Sequence, residues 1–171
     1  MINSKFTFFI LLGTILIITS LSGCGSDGNN NVTMISMVKE DAKIILEGIE
    51  NSTYESTAEL FSSYVRENYP TLSQDIAELM EYIDGEIVSY ERVLSDTTGG
   101  HSTGEGWVEK RFEGRIYKVK TNTNKTFNIK FGGYYINKEK PETVGVQYII
   151  IESFDDLDEN GYHVEKSIYY E

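Results

Sequence analysis

The chain has little of what catalytic and metal centres are usually made from. It holds one cysteine, two histidines and one tryptophan. A single cysteine excludes a disulfide within the chain. His101 lies in the polar run Thr98-Gly99-Gly100-His101-Ser102-Thr103-Gly104, and His163 borders an acidic turn. Neither has the neighbours of a triad, because no serine sits in a nucleophile-elbow pattern. The glycine-containing run around His101 lacks the lysine and following helix of a phosphate loop, so it reads as a flexible loop. Basic residues are also scarce: 15 Lys and Arg face 27 Asp and Glu, for a net charge of −12. Such a surface repels phosphate backbones, which excludes nucleic acid as a partner, and it disfavours peripheral contact with anionic lipid. Nothing implies a cofactor. Only two prolines occur and no low-complexity run follows the first thirty or so residues, so the remainder suits one domain with a real core.

What is present begins at the N-terminus. Lys5 and the apolar run from Phe6 to Ile18 have the order of a signal peptide. The run is shorter than the roughly 20 residues that a spanning helix needs. Leu21-Ser22-Gly23-Cys24 follows, and it resembles the lipobox of bacterial lipoproteins. The resemblance implies cleavage before Cys24 and a diacylglyceryl group on its sulfur, with acyl chains such as palmitate. Two chains satisfy the two-signal requirement for durable anchoring. The expected partner of Cys24 is therefore the lipid bilayer, and the expected location is the outer face of the cell membrane. On this reading residues 1–23 are the leader, 24–32 a polar flexible tether, and 33–171 one folded domain.

The first half of that domain has helical period. Ile35, Val38, Ala42, Ile45 and Ile49 form one apolar stripe. Tyr54, Ala58, Phe61 and Val65 form a second, with Ser52-Thr53-Tyr54-Glu55 as a capping box. Leu72, Ile76, Leu79 and Ile83 form a third, opened by a capping box at Thr71-Leu72-Ser73-Gln74 and stopped by Asp84-Gly85. The second half alternates. Val88, Tyr90 and Leu94 belong to one predicted strand, Trp107 to Thr121 to a long one with a bend near Gly114 and Ile116, and Phe127, Ile129 and Phe131 to another. Gly132-Gly133 predicts a bulge. Val144 to Ile151 reads as a central strand, and His163 to Tyr170 as a terminal strand or a tail. The expected fold is α+β, with three N-terminal helices packed on a curved antiparallel sheet.

That order resembles the cone of the nuclear transport factor two-like superfamily. Leu60-Phe61-Ser62, Gly85 to Tyr90, Tyr117 to Thr121 and Val144-Gly145 are also similar to segments of a Gram-positive lipoprotein family catalogued as domain of unknown function five-one-zero-four. The resemblance implies the cone and surface anchoring, and it transfers no catalytic residue. Within a cone, Tyr90, Tyr117, Phe131 and Tyr148 are the residues expected to line a pocket, with Glu152 as a nearby acid and Val88, Leu94, Val144, Val146 and Ile150 as inward neighbours. The leading expectation is a non-catalytic module for a small ligand or a protein. The alternatives are an enzyme using a carboxylate–tyrosine pair and a module that forms a homodimer through its sheet. Asp156-Leu157-Asp158-Glu159-Asn160-Gly161 matches the first half of a calcium loop, but position twelve is Ser167, and an acidic β-turn is the competing reading.

Overall fold

The computed structural model describes residues 26–170. The leader and Cys24 lie outside the described residues. The chain divides into two compact units at residues 33 and 34. The described part of the first, residues 26–33, is helical. The rest of this section concerns the second. No described helix is long and apolar enough to cross a membrane.

Helix α1 spans Ser26–Asn51, so it takes in residues whose composition reads as a flexible tether. Val38, Ala42 and Ile45 of its expected stripe are fully buried, joined by Met34. Ile35 is 41% exposed, and its neighbour Met34 takes the buried position at that end of the stripe. The expected second helix is two short ones, α2 (Glu55–Glu59) and α3 (Ser63–Asn68). The break falls at Leu60-Phe61-Ser62, where the backbone leaves the helix to pair with the sheet. Phe61 bridges Val146 in parallel, Val146 N donates to Leu60 O at 2.9 Å, and Ser62 N donates to Val146 O at 3.1 Å. Helix α4 spans Leu72–Met80 and buries Leu72, Ile76 and Leu79 as predicted.

Neither predicted capping box forms. Tyr54 and Thr71 occupy the cap positions without a side-chain cap bond. The Thr71 hydroxyl donates instead to Asp75 Oδ2 at 3.0 Å. The hydroxyl that does cap is that of Ser62, which accepts from Val65 N at 3.3 Å and so restarts the chain as α3.

Six antiparallel strands follow: β1 (Ile87–Ser89), β2 (Arg92–Thr103), β3 (Gly106–Thr121), β4 (Thr126–Asn137), β5 (Gly145–Leu157) and β6 (His163–Tyr169). The sheet is open, ordered β3-β4-β5-β6, with β1 and β2 pairing successive stretches of β3. The run around His101 is strand, not loop: Gly99 to Thr103 pair with Arg111 to Gly106. The bend in β3 sits at Lys118, which has φ +50, with a register shift between Ile116 and Val119. The predicted bulge at Gly132-Gly133 is a register shift against β5. The acidic stretch is the β5–β6 turn, in which Asp158 Oδ1 accepts from Asn160 N at 2.8 Å and Tyr162 N at 2.9 Å.

One sheet face carries Phe112, Ile116, Phe127, Ile129, Phe131, Val146, Ile149 and Ile151, all buried in a single core with the helices. Tyr82 meets Phe127 edge-on there at 5.9 Å. Phe131 fills the space over Gly114, where an added Cβ would stand 2.2 Å from its ring. Phe131 is thus a core residue, and its place in a ligand pocket is corrected. So are the inward positions expected for Val88 (62% exposed), Leu94 and Val144, which are all exposed. Tyr90 lies between β1 and β2, 49% exposed, and not on a strand facing the core.

Candidate functional site

Among the described residues of this unit, the helices pack on one face of the sheet, and alternation decides what the other face displays. On β3 the residues between the buried ones are Glu109, Arg111, Glu113, Arg115 and Tyr117, alternating in charge at the two-residue spacing of a strand. Each arginine pairs with the acid before it: Arg111 Nε lies 3.0 Å from Glu109 Oε1, and Arg115 Nη2 lies 2.8 Å from Glu113 Oε1. Register extends the pattern across the sheet. Asp96, Glu113, Gly132, Tyr148 and Tyr169 are successive partners on β2, β3, β4, β5 and β6.

Gly132 makes this row possible. An added Cβ there would stand 2.6 Å from the Tyr148 hydroxyl oxygen. With hydrogen in its place, the Tyr148 ring crosses β4 and its hydroxyl donates to Glu113 Oε2 at 3.1 Å. Glu113 therefore accepts from Tyr148 on one oxygen and from Arg115 on the other. Arg115 Nη1 donates onward to the Tyr117 hydroxyl at 2.8 Å. On the far side Tyr148 stacks on Tyr169, with centroids 4.8 Å apart and planes within 11°. Such surface ion pairs contribute only about 0–1 kcal/mol each, so their effect is to hold a shape rather than to stabilise the fold.

Two hollows flank the row. One of about 480 Å³ is lined by Arg111, Tyr134, Asn137, Lys140, Gln147, Tyr148 and Tyr169, and it reaches through to Phe112 and Tyr170 of the core. Arg111 Nη2 donates to the Tyr134 hydroxyl at 2.8 Å, with the guanidinium 4.8 Å from that ring's centre. The other, of about 200 Å³, lies among Leu94, Asp96, Glu113, Arg115 and Tyr117.

Of the four residues expected to line a pocket, the structure brings Tyr117 and Tyr148 together through Arg115 and Glu113. It leaves Tyr90 apart and places Phe131 on the opposite face. Glu152 is half-buried and accepts from Asn128 Nδ2 at 3.2 Å, next to Ser153, which is buried on the core side. The acid beside Tyr148 is Glu113 instead. Glu113, Arg115, Arg111, Tyr134 and Tyr169 were not singled out by sequence reasoning. The alternating charges from Glu109 to Arg115 were the available signal.

The chemistry of the pair follows from its surroundings. Burial, and then the Glu113 carboxylate, push the Tyr148 phenol well above its usual range. At neutral pH Tyr148 is a hydrogen-bond donor and not a base. Both oxygens of Glu113 are engaged by donors, which leaves it poorly placed to abstract a proton. The arrangement orients and holds polar and aromatic groups. Among the described residues no group of three or more His, Cys, Asp or Glu is placed to hold a metal.

The segments that define the resemblance meet in pairs. Leu60-Phe61-Ser62 pairs with Gly145 and Val146, and residues 85–90 pair with the end of β3, where Asn122 N donates to Glu86 O at 2.9 Å. The profile of the family described as Domain of unknown function (DUF5104) matches residues 43–161, which takes in these segments and most of the row. No curated protein matches the chain.

Proposed function

Since the chain belongs to the DUF5104 family, whose description carries no activity, we propose from its residues that it is a non-catalytic binding domain, anchored to the outer face of a membrane through acylated Cys24. The open sheet face is its recognition surface. The observation that carries this is the row from Asp96 to Tyr169 with the hollows beside it, on the face the helices leave uncovered. The helix-facing side supports the same reading, being filled by Phe61, Phe112, Phe127 and Phe131. In fold we read the helices and sheet as a nuclear transport factor two-like cone whose interior is packed. The anchor reading rests on Leu21-Ser22-Gly23-Cys24 and the apolar run before it.

The test has two readouts. Intact mass of the protein from the membrane fraction should give an N-terminal Cys24 carrying diacylglyceryl, and Cys24→Ser should abolish it. Amide spectra of the protein, titrated with a panel of small aromatic and charged fragments, should shift first at residues 111–117, 147–149 and 167–169. Shifts confined to the helix–sheet interior, or turnover of a fragment, would overturn the binding reading.

A further inference from the structure

The larger hollow has a chemistry at odds with the rest of the molecule. The chain carries 27 acids against 15 bases, yet no acid lines this pocket, and Arg111 and Lys140 do. Charges within a Debye length of about 8 Å dominate a local field, so the groups around the pocket, and not the net charge of the whole chain, set the field there. The acids nearby are accounted for. Glu109 partly neutralises Arg111, Glu113 beneath Tyr148 is paired with Arg115, and Asp75 accepts from the Tyr170 hydroxyl at 2.6 Å, at the end of the pocket that faces the core. Glu139 and Glu142 flank Lys140 and are exposed, and none of the ion pairs among the described residues engages Lys140. Lys140 therefore supplies the less compensated of the two charges.

The wall beside it is flat and aromatic. Tyr148 and Tyr169 stack, Tyr148 is fixed by Glu113, and Tyr169 is 60% exposed. A rigid aromatic slab favours an offset-stacked ring. A cation in a hollow favours a carboxylate. A volume of about 480 Å³ falls in the range, roughly 300–1,000 Å³, that small-molecule sites occupy.

We propose that this pocket binds a small organic anion, a carboxylate borne on a flat ring. The ring rests on the Tyr148–Tyr169 slab, and the carboxylate is held by Lys140 with Arg111 in support. This rests on the reading of the open face as a binding surface and adds the ligand class.

Calorimetry on the full chain tests it with three probes: naphthalene-2-carboxylate, its neutral carboxamide, and inorganic phosphate. The carboxylate should bind at least tenfold more tightly than the carboxamide or phosphate. Lys140→Gln should abolish that preference and leave carboxamide affinity in place, with a smaller effect from Arg111→Lys. Tyr169→Ala should weaken both naphthalene probes about tenfold. All three positions are on the surface, and circular dichroism verifies that the variants fold. Equal binding of carboxylate and carboxamide, still weakened by Tyr169→Ala, would overturn the charge selection and leave the binding surface standing. Phosphate binding as tightly as the carboxylate would overturn the role of the ring. No binding by any probe would overturn the ligand class. Binding indifferent to Tyr169→Ala would overturn both the pocket and the open-face reading.

Discussion

Two residues sit at odds with their surroundings, and both make measurable predictions. The hydroxyl of Thr57 is buried on α2 without a hydrogen-bond partner among the described residues. It is held close to α1, where an added Cβ at Gly48 would stand 2.6 Å from it. A buried unpaired hydroxyl costs its desolvation, so Thr57→Val should raise stability by about 1 kcal/mol in urea unfolding. A loss of that size would instead show the hydroxyl engaged. Asp41 is partly buried on α1, and its carboxyl is pushed up to about 6, by burial first and by Glu40 second. A carboxyl raised in the fold holds its proton more tightly there than in the unfolded chain. Its contribution is thus whole below its ordinary value of 3.8 and is lost as pH rises through about 6. Asp41→Asn should therefore stabilise the protein at pH 7 and make no difference near pH 3. Because the side chain keeps contact with water, the gain should be on the order of 1 kcal/mol. Thermal melts at the two pH values decide it.

At the scale of elements, period was the legible part. The stripes of α1 and α4 and the bulge at Gly132-Gly133 follow from spacing and from glycine positions, whereas the bend in β3 falls just past the predicted stretch, at Lys118, and spacing leaves His163 to Tyr170 open between strand and tail. What spacing does not carry is a partner far along the chain. Phe61 reads as the inner position of a helix, and only pairing with Val146 explains why the helix stops there. Thr98 to Gly104 reads as a loop by composition, and only the length of β3 beside it makes it a strand. The site shows the same division. Tyr117 and Tyr148 were visible as aromatics on alternating strands, but choosing Glu113 and Tyr169 over Glu152 and Tyr90 requires the register between strands. Gly145 shows what the helix break demands of the sheet. It has φ +131, and an added Cβ would stand 2.8 Å from Ser62 N. Gly145→Ala should lower stability by about 1–3 kcal/mol. Gly104→Ala, where nothing lies within 4 Å, should change it by no more than about 0.5 kcal/mol. Urea midpoints of the two variants provide the comparison.

The whole molecule separates two tasks by face. One side of the sheet is covered by helices and packed with phenylalanine and isoleucine. The other is left to alternating charges and tyrosines, so substitutions on it leave the core packing in place. Charge is divided in the same way, with a negative chain surrounding one cation-lined hollow. The bridge between Phe61 and Val146 has a further consequence, in time rather than in space. Strands β2 to β6 pair with their neighbours in sequence, so their contacts are local and form early. The bridge joins the first third of the folded chain to its penultimate strand, and its loop must close before it forms. It should be absent from the folding transition state. In stopped-flow measurements Gly145→Ala should leave the folding rate nearly unchanged and put its whole cost, about fivefold to a hundredfold, into faster unfolding. The clasp between helix break and sheet would then set how long a folded copy lasts, rather than how soon it is made.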